Sequence, residues 1–157
     1  MQITSEVLAG VPAENVRVPV EDFGAVWRRA ESECVRLVLS SSRDMRAADY
    51  ASGVMGACRW LAAADVPLGG GGGMEPLWTP ASAPIPVDGQ WPAATPATIE
   101  AVRREGWSLM ERFPGGYVRR PGAEARPGFL EGIVDALVWA YGQGPQPKLG
   151  ATDHHHA

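Results

Sequence analysis

The chain has 157 residues and a formal net charge of −4. This length predicts one domain, or two small halves that share one core. The acidic balance argues against bulk nucleic-acid binding, and no apolar run approaches the about 20 residues that a membrane span requires. Because the first residues lack a basic segment followed by an apolar run, we expect no secretory signal and a cytoplasmic location.

The first part of the chain predicts an arm followed by a helical hairpin. Residues 1–20 form the N-terminal arm, in which Val16 to Val20 is expected to be extended. Residues 21–65 form hairpin 1, because apolar residues recur at helical spacing in two segments on either side of a turn near Arg43. The second segment spans residues 50–61, and the apolar members of the first are Phe23, Val26, Ala30, Cys34 and Leu37.

Residues 66–97 are rich in glycine and proline and predict an extended connector. This segment contains Gly69 to Gly73 and seven prolines from Pro67 to Pro96. Such a composition is incompatible with a regular helix or a central strand. The segment also contains Trp78 and Trp91, and we expect these aromatic side chains to pack on the helices or on a partner.

Residues 98–150 form hairpin 2, and residues 151–157 are expected to be a disordered tail. Thr95 and Pro96 supply a capping side chain and a first-turn proline for its first helix. The second helix spans residues 129–140, and the apolar positions of the first are Ile99, Val102, Gly106, Met110 and Phe113. The intervening loop is longer than the loop of hairpin 1.

The two hairpins share residue types at matching positions, which indicates a duplication. The paired residues are Tyr50 and Phe129, Gly53 and Gly132, Val54 and Ile133, Ala57 and Ala136, and Trp60 and Trp139. This spacing follows one face of a helix. We therefore predict a mainly α fold, in which a duplicated helical hairpin forms a four-helix bundle. We expect Gly53 and Gly132 to lie where two helices approach closely, and Trp60 and Trp139 to cap the apolar stripe.

The two cysteines do not form a disulfide framework. Antiparallel helices with a turn near Arg43 would place Cys34 and Cys58 about six residues out of register, or about 9 Å apart along the helices. A disulfide normally needs α-carbons within about 7 Å. We expect two separate, reduced thiols that face the core.

No catalytic constellation, metal site or cofactor site is evident in the sequence. The histidines, His154 to His156, all lie in the tail, which leaves the body without the usual general base. Gly69 to Gly73 lacks the Gly-Lys-Ser/Thr of a phosphate loop and is interpreted as a hinge. Asp49, Glu131 and Asp135 are the acids that we would test if the chain were an enzyme subunit completed by another chain.

Two groups of residues are candidates for binding a partner. Tryptophan is enriched at protein interfaces, and Trp78 and Trp91 are difficult to bury within a small domain. The longer loop and the residues beside it add a cluster of cationic and aromatic residues that only Glu124 opposes, namely Arg112, Tyr117, Arg119, Arg120 and Arg126. A patch for phosphate or an acidic protein surface is one interpretation. An ordinary solubilising loop is the other, because local basic runs are common.

The helix at 129–140 carries an aromatic-x-x-Gly-Val/Ile-x-x-Ala-x-x-Trp pattern through Phe129, Gly132, Ile133, Ala136 and Trp139. The pattern resembles a helix of small uncharacterised helical proteins from actinobacteria and their phages. The resemblance covers residues 50–61 and 129–140. It implies an actinobacterial or actinophage source, with a place in the virion if the protein is phage-derived, and it implies no activity.

These observations favour a non-enzymatic module that binds other protein chains or self-associates, as an accessory or structural component of a larger assembly. One alternative is a small regulatory protein that contacts nucleic acid through the region from Arg112 to Arg126, although the acidic net charge argues against it. The other alternative is the enzyme subunit completed by another chain.

Overall fold

The computed structural model describes residues 2–40, 44–68 and 77–150. The predicted hinge at Gly69 to Gly73, the turn near Arg43 and the tail from residue 151 lie outside these ranges. Within them the fold is mainly helical, which confirms the predicted class. The elements are α1 (Ser5–Ala9), α2 (Val20–Leu39), α3 (Met45–Leu61), β1 (Asp65–Leu68), β2 (Leu77–Pro80), α4 (Pro96–Arg112) and α5 (Phe129–Ala140). None of the described helices is long and apolar enough to cross a membrane.

Local chemistry explains where the helices begin. The Asp44 side chain accepts a hydrogen bond from the backbone N–H of Ala47 and caps α3. Thr95 and Thr98 form a reciprocal capping box at the start of α4, with Pro96 in the first turn. Side-chain caps of this kind satisfy backbone donors that have no partner within the helix.

The N-terminal arm differs from its prediction. It contains the short helix α1, and Val20, expected to be extended, is the first residue of α2. The arm is fixed by Asn15, which is buried and whose Nδ2 donates to the carbonyl oxygens of Leu61 and Ala94, each at 3.2 Å. This side chain links the arm to the end of α3 and to the connector.

The connector contains an antiparallel β-ribbon that the sequence did not predict. Strand β1 pairs with β2 in a register that places Asp65 opposite Pro80 and Leu68 opposite Leu77. A two-stranded ribbon has only edge strands, and this is where proline is tolerated in a sheet. Beyond the ribbon, Ile85 is fully buried and attaches the connector to the helical core.

Helices α3 and α5 lie at the centre of the packing. Helix α3 packs against both α2 and α5, and α5 also packs against α4. Nine of the 12 residues of α5 are buried, which explains its nearly continuous apolar sequence. Trp60 and Trp139 are buried at 1% and 6% exposure, so both lie within the core. The Phe23 ring of α2 stacks on that of Trp139, with centroids 6.4 Å apart.

Helices α3 and α5 approach most closely at Gly53 and Gly132. A β-carbon on Gly53 would overlap the carbonyl oxygen of Phe129, and one on Gly132 would overlap the carbonyl oxygen of Tyr50. Each glycine therefore lets the other helix's backbone approach directly. The contacted residues, Tyr50 and Phe129, occupy matching positions three residues before the two glycines.

Candidate functional site

Four of the seven residues predicted to bind a partner meet at one concave surface. A cleft of about 290 Å³ lies between α3, the connector and the loop that precedes α5. We call it the arginine cleft. Its lining residues are Gly56, Arg59, Val66, Ala81, Ser82, Ala83, Pro84, Trp91, Tyr117, Arg119, Arg126 and Phe129.

A tight turn places Trp91 at the cleft. Val87 and Gln90 exchange two backbone hydrogen bonds of 2.9 Å around Asp88 and Gly89. Both turn residues have positive φ, of 50° and 73°, as a two-residue type I′ loop requires. Immediately after Trp91, the carbonyl oxygen of Pro92 accepts a 2.9 Å hydrogen bond from Nε1 of Trp60. The Trp91 side chain is 46% exposed although its backbone is anchored on both sides.

The loop before α5 forms a second hairpin-like element. The backbone N–H of Arg126 donates to the carbonyl of Tyr117 at 2.8 Å, and the N–H of Ala123 donates to the carbonyl of Arg120 at 3.0 Å. The turn from Arg120 to Ala123 has Pro121 and Gly122 at its centre, and the φ of 86° at Gly122 is typical of a type II turn. Phe129 fixes the position of the Tyr117 side chain, because the two rings stack with centroids 6.0 Å apart.

Arg126 is fixed at the back of the cleft. Its Nε donates to Oδ1 of Asp49 at 3.2 Å, and its Nη2 donates to Oγ of Ser52 at 3.0 Å. Its guanidinium also lies over the Phe129 ring, 4.0 Å from the centroid. Burial raises the pKa of the Asp49 carboxyl, and Arg126 opposes that rise. Oδ2 of Asp49 is buried and has no hydrogen-bond partner among the described residues.

Arg59 is a cleft residue that the sequence did not identify. Its Nε and Nη2 donate to the two carboxylate oxygens of Glu31 at 2.6 and 2.7 Å. Glu31 also accepts a 3.1 Å hydrogen bond from Nε1 of Trp27. An arginine on an amphipathic helix usually faces solvent, so the pattern alone gave no signal. This ion pair joins Glu31 of α2 to Arg59 of α3, which lie 28 positions apart in the sequence.

Four of the predicted partner-binding residues line the arginine cleft: Trp91, Tyr117, Arg119 and Arg126. The guanidinium of Arg119 lies over the Trp91 ring, 5.7 Å from its centroid, and joins the connector to the loop. Arg112, which lies over the ring of Phe113, and Arg120 do not line the cleft. The side chain of Trp78 lies outside the described part of the structure.

The three candidate acids do not meet at one site. Asp49 pairs with Arg126 behind the arginine cleft. Glu131 and Asp135 line a different groove of about 850 Å³, beside the half-exposed Trp107. There Glu131 lies 3.5 Å from Arg46, and Asp135 accepts a 2.7 Å hydrogen bond from the Tyr50 hydroxyl. Burial, together with Asp135, raises the pKa of Tyr50, so this hydroxyl keeps its proton.

Comparison with protein-family models, curated proteins and solved structures finds no match to this chain. Across residues 2–40, 44–68 and 77–150, no group of three or more His, Cys, Asp or Glu side chains is arranged to hold a metal ion. The candidate function therefore rests on the chemistry of the arginine cleft.

Proposed function

We propose that this protein is a non-enzymatic protein-binding module, an accessory or structural component of a larger assembly, and that the arginine cleft receives a segment of the partner. One observation carries the proposal: Trp91 from the connector and Tyr117, Arg119 and Arg126 from the distant loop converge on one concave surface. Tryptophan, tyrosine and arginine are the residue types that dominate binding energy at protein interfaces.

The polar groups of the cleft suit recognition better than catalysis. Its charged side chains are guanidiniums, which stay protonated and act only as hydrogen-bond donors. Arg59 and Arg126 are already fixed by carboxylates, so little conformational entropy is lost when they bind a ligand. The net charge of −4 and the separation of Arg112 and Arg120 from the cleft make nucleic acid a poorer candidate partner.

Native mass spectrometry of the protein purified from its source cells or particles tests the proposal. Trp91 and Trp107 offer a matched pair, since their side chains are 46% and 49% exposed on different surfaces. We expect the wild type and Trp107→Ser to retain a defined complex with another chain, and Trp91→Ser to lose it. A complex that survives Trp91→Ser, or that Trp107→Ser disrupts equally, would contradict the role of the arginine cleft.

We also infer that α2–α3 and α4–α5 are two copies of one hairpin, related by an approximate two-fold axis between α3 and α5. The reciprocal contacts of Gly53 and Gly132 support this, as does the packing order α2, α3, α5, α4. Val54 and Ile133 would then occupy equivalent environments. A double variant that exchanges them should be nearly as stable as the wild type, because equivalent environments accept either side chain. A loss of more than about 1.5 kcal/mol in the free energy of unfolding would argue against equivalence.

A further inference from the structure

The three guanidiniums of the arginine cleft differ in their partners. Among its three guanidiniums, Arg59 is paired with Glu31 and Arg126 is paired with Asp49. Arg59 donates to Glu31 through Nε and Nη2, whereas Arg126 donates to Asp49 through Nε and to the Ser52 hydroxyl through Nη2. The N–H groups on Nη1 are not used in these contacts.

Arg119 supplies the remaining positive charge. Among the described residues it has no carboxylate partner, and its contact is with the face of the Trp91 ring. Stacking on an aromatic ring orients a guanidinium while leaving its in-plane N–H donors available. Arg119 therefore presents a guanidinium without a carboxylate partner among the described residues, next to the exposed indole of Trp91. A further acid lies in the same loop, where the charge of Glu124 raises the pKa of Asp49.

We infer that the arginine cleft binds a carboxylate of an acidic segment of the partner protein, with Arg119 as the direct contact and Trp91 packing against the same segment. This inference rests on the proposed function and specifies the chemistry of the partner. A guanidinium pairs with a carboxylate through two parallel hydrogen bonds. Glu31 and Asp49 already pair with the other two guanidiniums, and Glu124 acts on Asp49. A singly charged carboxylate therefore meets less repulsion than a phosphate group, which would bring nearly two negative charges.

The dimensions of the cleft agree with this assignment. A volume of about 290 Å³ lies just below the range for small-molecule sites, about 300–1,000 Å³, and suits one or two inserted side chains. The apolar part of the wall, which includes Val66, Pro84 and Phe129, would contact the aliphatic portion of an acidic side chain. Such a contact favours a peptide over a free inorganic anion.

The test follows the indole N–H resonance of Trp91 by NMR in the full chain, assigned with Trp91→Phe. The probes are a short capped peptide rich in glutamate, its glutamine and phosphoserine counterparts, and an oligothymidylate. We expect the glutamate peptide to shift the resonance and to bind about tenfold more weakly to Arg119→Gln. Arg120→Gln is the matched control, because Arg120 is adjacent to Arg119, exposed and outside the cleft lining. The Kd of the glutamate peptide for this variant should stay within about twofold of its Kd for the wild type.

Each contrary result has a distinct meaning. Equal binding of the glutamine peptide would overturn the carboxylate assignment and leave a protein-binding cleft in place. Tighter binding of the phosphoserine peptide or the oligothymidylate would transfer the assignment to phosphate. If no probe shifts Trp91, or if Arg119→Gln binds like Arg120→Gln, the inference fails. The native complex, tested separately with Trp91→Ser, decides the proposed function independently of these outcomes.

Discussion

Gly53 and Gly132 permit the same backbone contact in opposite directions, each admitting the carbonyl of the residue three positions before the other. Replacing either by alanine should lower the free energy of unfolding by about 1–3 kcal/mol, because the added methyl overlaps backbone that cannot rotate away. Urea denaturation followed by circular dichroism measures the change. The double variant should be less destabilised than the sum of the single variants, because one separation of the helices accommodates both methyl groups.

Gly56 provides the control for this prediction. It lies on the same helix as Gly53, and a β-carbon there would lie an ordinary 3.6 Å from Cβ of Pro84. Gly56→Ala should therefore be neutral or stabilise the fold by up to about 1 kcal/mol through helix propensity. If Gly53→Ala and Gly56→Ala behaved alike, the close crossing of α3 and α5 would be wrong.

The partly buried ion pair of Arg59 with Glu31 should contribute to the stability of the fold. The two side chains are 26% and 14% exposed, so solvent screens the pair only partly. Arg59→Gln would leave the Trp27 indole as the remaining hydrogen-bond donor to Glu31 among the described residues. The substitution should lower the free energy of unfolding by about 1–3 kcal/mol. Arg36→Gln is the control, since Arg36 pairs with Glu33 at 52% side-chain exposure. It should leave the denaturation midpoint unchanged. Equal effects of the two substitutions would show that burial does not strengthen the Arg59 pair.

Local patterns were sufficient to predict much of the helical structure. The apolar period from Ile99 to Phe113 and the Thr95–Pro96 start predicted α4, because caps and periodicity act over a few residues. The β-ribbon was not predicted, because the prolines at 67 and 80 exclude a central strand but are compatible with an edge strand. Asp88 and Gly89, between Val87 and Gln90, are typical of a two-residue hairpin turn. This signal could have predicted the turn that precedes Trp91.

The cleft itself depends on contacts between residues far apart in the sequence. Trp91 and Arg119 were both candidates, but no local rule brings the connector to the loop before α5. Arg59 was missed because its partner, Glu31, lies on the preceding helix, and both fit the pattern of solvent-facing positions. Asn15 illustrates the same limit, since its two acceptors, Leu61 and Ala94, become neighbours only in the folded chain.

The thiol of Cys34 should react slowly in the native protein. Burial, reinforced by the negative charge of Glu31, raises the pKa of Cys34 to about 11. At pH 8 the thiolate is therefore a small fraction of the total, and alkylation by iodoacetamide should be at least about tenfold slower than in the urea-unfolded chain, even after allowing for the greater nucleophilicity of a high-pKa thiolate. Mass spectrometry of the alkylated protein measures the rate.

Cys34→Ser isolates the other thiol as a control for this measurement. Cys58 is fully buried, and burial raises its pKa further. The variant should react more slowly than wild type in the native state and at an ordinary rate in urea. A native wild-type rate equal to that of the unfolded chain would show that Cys34 is not shielded as described.

Asp49 should make the fold less stable as the pH rises through its titration range. Because burial raises its folded pKa above the ordinary value of 3.8, the folded protein binds more protons than the unfolded chain between these two values. The stabilising contribution of the protonated carboxyl is thus complete below pH 3.8 and is lost as the pH rises through the folded pKa.

The Asp49→Asn variant removes this pH dependence. The free energy of unfolding of the wild type relative to that of the variant should therefore fall over this window and become constant above it. Arg126→Gln should extend the window to higher pH, since Arg126 lowers the pKa of Asp49. Urea denaturation from acid to neutral pH measures all three proteins, and a wild type that gains stability relative to Asp49→Asn as the pH rises would show that the ion pair with Arg126 outweighs burial.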